Sequence, residues 1–208
     1  MKLSVSILNS KDKNKTITKL NNSNIDYYHI DVMDGIFVSQ KAMPLEEISQ
    51  IISITNKPLD VHLMVDDPLK YIEYLGKIDL VTYITFHLEI NKEIMRLISQ
   101  IKAYNKKVGL SIKPNTNLDL LKPYLPYIDL ILIMTVEPGC GGQTFLTSSI
   151  DRILIIKQMV KNYNIKLEVD GGINDNTIKL ISDVDIAVVG SYITTSDDPL
   201  GQIEKLSV

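Results

Sequence analysis

The chain has 208 residues, 45% of them hydrophobic and 23% charged, which suits one larger globular domain or two small ones. Its net charge of −3 argues against a general nucleic-acid binder, which would show a basic patch or stripe. A single cysteine excludes an internal disulfide framework and favours a reducing, cytoplasmic setting. The first residues lack the apolar run of a signal peptide, and no segment approaches about 18 consecutive apolar residues. We therefore expect neither secretion nor a membrane span.

Short apolar runs with strand character alternate with longer amphipathic runs along the chain. The predicted strands are Leu3–Leu8, Asp26–Val32, Leu59–Met64, Leu80–His87, Lys107–Ile112, Asp129–Met134, Lys166–Asp170 and Ile186–Gly190. The predicted helices lie at 12–22, 44–55, 67–76, 91–105, 116–122, 147–163, 174–182 and 199–206. This alternation favours a single (β/α)8 TIM barrel over residues 1–208. A doubly wound open sheet is the alternative, but no glycine-rich dinucleotide turn follows the first strand.

Three of the predicted strands have one aliphatic face and one polar face, because successive side chains of a strand point to opposite sides. The polar faces carry His29 and Asp31 in the second strand, Asp60 and His62 in the third, and Glu168 and Asp170 in the seventh. The aliphatic faces should meet the helices, and the polar faces should point into the barrel. Charges inside a barrel are costly unless they are paired or functional.

Residues that can bind a metal or transfer a proton lie at the carboxyl ends of the predicted strands. In a TIM barrel these ends meet at one rim, where the active site lies. All three histidines, His29, His62 and His87, fall at strand ends, as do Asp31 and Asp170. A single such histidine would more often be an ordinary core residue, but three with two carboxylates indicate a site. The pair His29 and Asp31 can bind a divalent metal or move a proton. With His62 and Asp170 they form a set that suits zinc, iron(II), manganese or cobalt.

Glycine-rich turns follow the sixth, seventh and eighth predicted strands. They contain Gly139, Cys140, Gly141 and Gly142, then Gly171 and Gly172, then Gly190 and Ser191. Exposed backbone N–H groups in such turns suit a phosphate, although glycines also occur in ordinary turns. Three methionines at strand ends are either core filler or the side wall of the site: Met33, Met64 and Met134.

Several motifs occur together in one order along nearly the whole chain. They are Ser6-Ile7-Leu8, His29-Ile30-Asp31-Val32-Met33-Asp34-Gly35, Leu59-Asp60-Val61-His62-Leu63-Met64, Met134-Thr135-Val136-Glu137-Pro138-Gly139, Gly141-Gly142-Gln143, Glu168-Val169-Asp170-Gly171-Gly172-Ile173 and Gly190-Ser191. In this combination the chain resembles the ribulose-phosphate 3-epimerase family.

The resemblance implies a phosphate-binding TIM barrel of the pentose phosphate pathway that interconverts D-ribulose 5-phosphate and D-xylulose 5-phosphate with one divalent metal. It implies His29, Asp31, His62 and Asp170 as metal ligands, and Asp31 with Asp170 as the acid/base pair at C3. Ser6 and His62 would contact the substrate. The substrate and phosphate loops would be Gly139, Cys140, Gly141, Gly142, Gly171, Gly172, Gly190 and Ser191. The expected partner is a small sugar phosphate; whether copies form a homo-oligomer stays open.

The chain also departs from the usual pattern of this family. Val5 replaces a proline, Ile36 to Gln40 replace His-Phe-Val-Pro-Asn, and Cys140 replaces a phenylalanine. None of these changes removes a predicted ligand. Two alternatives remain: a 3-epimerase of a ketohexose 6-phosphate such as allulose 6-phosphate, and a non-catalytic sugar-phosphate-binding barrel. The glycine turns favour the pentose substrate, and the complete ligand set favours an enzyme.

Overall fold

The strands of the computed structural model, which describes residues 1–206, form one closed sheet. They are β1 (Lys2–Ser6), β2 (Tyr27–Asp34), β3 (Lys41–Ala42), β4 (Leu59–Met64), β5 (Val81–His87), β6 (Lys107–Ile112), β7 (Leu130–Met134), β8 (Lys166–Asp170) and β9 (Ile186–Val189). All except β3 run parallel, in the order β1-β9-β8-β7-β6-β5-β4-β2, and pairing of β1 with β2 closes the ring. The predicted TIM barrel is confirmed, and the open sheet is excluded.

Helical segments cover the outside of the ring. The α-helices are α1 (Lys13–Leu20), α2 (Leu45–Ile54), α3 (Leu69–Leu75), α4 (Ile94–Ala103), α5 (Ser149–Met159), α6 (Ser191–Thr194) and α7 (Pro199–Lys205). In the part of the chain that the structure describes, no helix combines the length and apolar character that a membrane crossing requires.

Two of the predicted helices are 3-10 helices, at Leu118–Tyr127 and Thr177–Ile181. The prediction of a helix over 116–122 was therefore too short at its carboxyl end. Pro123 and Pro126 lie inside the first segment, where each lacks the N–H of an α-helical hydrogen bond and its ring would clash with the preceding turn. The short antiparallel strand β3, which pairs with the end of β2, was not predicted.

The two faces of each barrel strand are divided as the alternation predicted. Tyr28, Ile30 and Val32 of β2 belong to the large apolar cluster between the sheet and the helices. His29 from the opposite face of β2, like His62 of β4, is fully buried inside the barrel. The period-two pattern therefore directs the polar residues of β2 and β4 towards the barrel axis.

Candidate active site

Four side chains from three strands meet at the carboxyl end of the barrel: His29 and Asp31 from β2, His62 from β4 and Asp170 from β8. One donor atom from each lies within 4.8 Å of all the others. His29 Nε2 is 3.4 Å from Asp31 Oδ1 and 3.9 Å from Asp170 Oδ2. His62 Nδ1 is 3.6 Å and 3.8 Å from the same two oxygens. The structure thus brings together all four residues predicted as metal ligands.

The geometry and the chemistry of this set fit a divalent cation. His29 Nε2 and His62 Nδ1 are buried and have no hydrogen-bond partner. Two donors about 2.1 Å from one ion in a tetrahedral arrangement lie about 3.4 Å apart, close to the separations found here. Two imidazoles and two carboxylates also match the donors that zinc, iron(II), manganese and cobalt accept. This buried group can therefore hold a metal ion, and its donors do not select one of these four.

The two carboxyl groups of the set have opposite electrostatic environments. Burial alone would raise the pKa of Asp31, but His29 and His62 hold the pKa of this carboxyl below its usual range. Burial and then the charge of Asp31 raise the pKa of Asp170 to about 6. Two neighbouring carboxyl groups with divergent pKa values are the arrangement that acid/base enzymes use for separate proton donor and acceptor roles.

A layer of polar residues beneath the set orients His29 and Asp31. Asp60 Oδ2 lies 2.6 Å from His29 Nδ1 and accepts a hydrogen bond of 2.9 Å from Ser4 Oγ. Ser6 Oγ donates to Asp31 Oδ2 at 2.6 Å. Burial alone would lower the pKa of His29, but the charges of Asp60 and Asp31 raise it well above its usual value. The carboxylates around His29 thus favour a positive charge next to the ring, which a bound cation would supply in place of a proton on Nε2.

A cavity of about 600 Å³ opens above this floor, a volume suited to a small molecule. Its walls contain most of the predicted site residues: Ser6, Asp31, Met33, Met64, Met134, Gly139, Cys140, Gly141, Gly142, Asp170, Gly171, Gly172, Gly190 and Ser191. His29 and His62 do not line it, because both are fully buried beneath the floor. That position is suited to a metal ligand, whereas direct contact between His62 and a substrate stays a prediction.

The segment between β2 and α2, which departs most from the family pattern, lies against the first glycine-rich loop. Asp34 starts it by accepting hydrogen bonds from the N–H groups of Ile36 and Phe37. Gln40 Nε2 then lies 3.4 Å from Cys140 Sγ in the first glycine-rich loop. The segment of residues 35–44, in which Val38 and Met43 are buried, therefore contacts the first glycine-rich loop.

Two features at the site were not assigned a role from the sequence. Asn9 lines the cavity, and its Nδ2 donates to Ser191 Oγ at 2.8 Å. His87 Nε2 lies 2.9 Å from His62 Nε2, and His87 Nδ1 lies 3.0 Å from Glu89 Oε2. The position of His87 at a strand end, two residues before a carboxylate, was the available signal for the second feature. Asn9 offered none, since its partner lies 182 residues away.

Comparison with known proteins identifies the family. The model of the ribulose-phosphate 3 epimerase family matches residues 2–194. The chain belongs to the ribulose-phosphate 3-epimerase family. A ribulose-phosphate 3-epimerase from Mycobacterium tuberculosis is 35% identical over 185 residues, covering 87% of this chain and 80% of the relative. One from Helicobacter pylori is 37% identical over 188 residues, covering 88% and 86%. The predicted family and its enzyme class, a carbohydrate epimerase, are confirmed.

Solved structures support the fold of this epimerase independently of sequence. Tryptophan synthase from Mycobacterium tuberculosis superimposes with a TM-score of 0.73, covering 99% of this chain and 90% of that one, at 13% identity. At so low an identity the likeness shows the TIM-barrel fold alone. The evidence for the four-residue set that could hold a metal is therefore the geometry of this chain.

Proposed function

We propose that this epimerase interconverts D-ribulose 5-phosphate and D-xylulose 5-phosphate by proton transfer at C3, with Asp31 and Asp170 as the acid/base pair. The observation that carries the proposal is the pair of neighbouring carboxyl groups with opposite pKa shifts on the floor of the cavity. Inversion at a carbon requires that one proton leaves one face and another arrives at the opposite face. Two separate groups, one for each face, are the minimum that this reaction needs.

The two carboxyl groups differ in how readily each holds a proton before the transfer at C3. Asp31, with its lowered pKa, is ionised and can accept the C3 proton from one face. Asp170, with a pKa of about 6, holds a proton more readily and can deliver it to the other face. In the reverse direction the two roles exchange. Ser6 orients the Asp31 carboxylate by donating a hydrogen bond to Oδ2. The other oxygen, Oδ1, lies towards His29 and His62. Positioned groups of this kind typically contribute about 10²–10⁴-fold in rate.

His29, Asp31, His62 and Asp170 would hold one divalent ion, which is zinc, iron(II), manganese or cobalt. Such an ion supplies Lewis-acid chemistry that stabilises the negative charge developing on the substrate oxygens next to C3. The unpartnered nitrogens of His29 and His62 support this assignment. Asp60 contacts His29 Nδ1, so it would fix the direction of Nε2, the nitrogen that would bind the ion.

The glycine-rich turns after β7, β8 and β9 would bind the phosphate of the substrate. They border the same cavity as the two aspartates, and Asn9, which lies close to Gly141 of the first turn, donates to Ser191 of the last. Backbone N–H groups in such turns suit a dianion, and loops in this part of a TIM barrel commonly hold phosphate. Binding energy at the phosphate, remote from C3, would orient the sugar between the two carboxyl groups.

The substitution Gly172→Ala is expected to raise KM for the sugar phosphate by about tenfold or more, because it would displace the backbone groups that we propose bind the phosphate. Gly172 has a φ of 68°, and an added Cβ would lie 2.3 Å from the backbone nitrogen of Phe145, so the loop backbone must shift. Gly142→Ala is the comparison: its φ of 77° strains alanine in the same way, but the added Cβ meets nothing closer than 3.5 Å, so we expect a smaller rise in KM. Steady-state kinetics would contradict the prediction if both variants raised KM equally or neither did.

Direct comparison of substrates tests the proposed function. The purified protein is loaded in turn with each of the four ions and incubated in deuterated buffer with D-ribulose 5-phosphate or with allulose 6-phosphate. Proton NMR then follows deuterium entry at C3 and the appearance of the epimer. We expect kcat/KM to be at least about tenfold higher for the pentose, because the glycine turns match the pentose enzymes. Preference for the hexose would identify a ketohexose-phosphate epimerase. Exchange with neither sugar would indicate a non-catalytic barrel.

A further inference from the structure

A chain of three side chains in contact runs from His62 of β4 through His87 of β5 to Glu89, which follows β5. His62 Nε2 is 2.9 Å from His87 Nε2, and His87 Nδ1 is 3.0 Å from Glu89 Oε2. Both imidazoles are fully buried, and the Glu89 side chain is 20% exposed. The ring of Phe37 lies against that of His87, with 4.7 Å between the centroids. The mechanism proposed above uses His62 and leaves His87 and Glu89 without a role.

The partners of Glu89 determine the direction of the hydrogen bonds in this chain. Glu89 Oε1 accepts from the backbone N–H of Lys113 at 2.7 Å and from the hydroxyl of Thr116. Burial alone would raise the pKa of Glu89, but contact with His87 and the hydrogen bonds from Thr116 and Lys113 lower it to about 2, and the last two come from donors outside the histidine pair. Glu89 is therefore a carboxylate that only accepts hydrogen bonds. It follows that His87 donates from Nδ1.

The direction of this hydrogen bond continues to His62. A neutral imidazole carries one N–H, so His87 with its proton on Nδ1 presents Nε2 as an acceptor. The contact between the two Nε2 atoms then requires His62 to donate from its own Nε2. Nδ1 of His62 is left with a free lone pair, and this is the atom that lies 3.6 Å from Asp31 Oδ1 and has no hydrogen-bond partner.

We propose that Glu89 and His87 are positioning residues that fix His62 in the tautomer whose free Nδ1 faces the metal position. The inference rests on the proposed function, since it assumes that His62 is a ligand. The other histidine has a shorter version of the same arrangement, in which Asp60 contacts His29 Nδ1 and leaves Nε2 free. His29 thus presents Nε2 and His62 presents Nδ1 to one point. Asp60 contacts the other nitrogen of His29 directly, whereas Glu89 reaches His62 through His87. Outer partners of this kind typically affect metal affinity by about 10–100-fold.

The substitution Glu89→Gln tests the direction of the chain while preserving its shape. The amide NH2 of glutamine can donate to His87 Nδ1, which permits the opposite tautomer in both histidines. We expect the metal-free full-length variant to bind Zn²⁺ about 10–100-fold more weakly than the wild type in competition with a chromophoric chelator. Glu93→Gln is the matched control, because it makes the same change of side chain at an exposed glutamate outside this chain of hydrogen bonds. Its Zn²⁺ affinity should stay within about twofold of wild type.

Imidazole ¹⁵N NMR of the wild-type protein provides a second test that does not depend on the folding of a variant. His62 should be protonated at Nε2 and His87 at Nδ1. A wild-type His62 protonated at Nδ1 alone, or a Glu89→Gln variant with unchanged Zn²⁺ affinity beside tight wild-type binding, would overturn the positioning role alone. A wild-type protein that binds none of the four ions would overturn the metal centre of the proposed function together with this inference.

Discussion

Asp31→Asn and Asp170→Asn should each reduce kcat by about 10²–10⁴-fold or more while the barrel stays folded. Each substitution removes the group that serves one face of C3, so epimerisation fails in both directions. It also weakens one of the four donors that face the metal position, which adds to the loss. The two defects are distinguishable, because the metal content of each purified variant can be measured beside its rate.

Solvent exchange at C3 separates the two faces of the reaction. In deuterated buffer the wild type should label both epimers at C3. A variant that lacks one carboxyl group can retain exchange only from the epimer whose proton faces the remaining one, so the two variants should differ in which epimer they label. Undiminished C3 exchange in both variants would exclude Asp31 and Asp170 as the acid/base pair. Asp119→Asn is the matched control, since this carboxylate is exposed and pairs with Lys122 at 2.7 Å.

The same two variants should differ in their effect on the stability of the metal-free protein at pH 7, because the two pKa shifts have opposite signs. Asp31 has a lowered pKa, so its charge stabilises the folded state above its unfolded pKa, and removal of the charge should lower Tm. Asp170 has a pKa raised to about 6, so its ionisation at pH 7 costs stability, and its neutral replacement should leave Tm unchanged or raise it. Thermal unfolding followed by circular dichroism measures both effects.

The alternation of side chains along single strands was enough to predict the centre of this site. His29 and Asp31 of β2 and Asp170 of β8 share the barrel interior because of strand periodicity, which is a local property of the sequence. Closure of the ring brings them to one rim. The fold and the meeting of the four residues that could hold a metal were therefore predictable from the sequence.

Contacts that depend on the stagger between strands were not accessible in this way. His62 pairs in register with Thr85, and His87 pairs with Ser111, yet His62 and His87 touch through their Nε2 atoms. Tilt and shear of the barrel strands bring side chains at different register levels together, and no single-strand pattern contains that information. The same holds for Asn9 and Ser191, which meet only because the β1 and β9 loops are neighbours in the closed ring.

Loss of His29 should abolish the metal centre more completely than any change in the outer residues. His29→Gln removes one of the four donors and leaves Asp60 buried without its imidazole partner. We expect a fall in metal affinity beyond the roughly 10–100-fold assigned to Glu89→Gln, together with a loss of epimerase activity. An unpaired buried carboxylate also lowers the free energy of unfolding, by about 3–5 kcal/mol in comparable buried pairs, so circular dichroism must show that the variant is folded.

Removal and return of the ion distinguish a missing metal site from a damaged barrel. Wild-type protein stripped with a chelator should lose activity and regain it with at least one of zinc, iron(II), manganese or cobalt, whereas His29→Gln should regain none. Tyr27→Phe is the matched control, because Tyr27 lies on the same interior face of β2, two residues earlier, and loses only a hydroxyl that accepts from Lys2 Nζ at 3.0 Å. It should bind metal as the wild type does.

A folded His29→Gln protein with a full equivalent of tightly bound ion would remove His29 from the ligand set. Asp60 would then be the partner of a histidine that is only structural, and the free Nε2 of His29 would need another explanation.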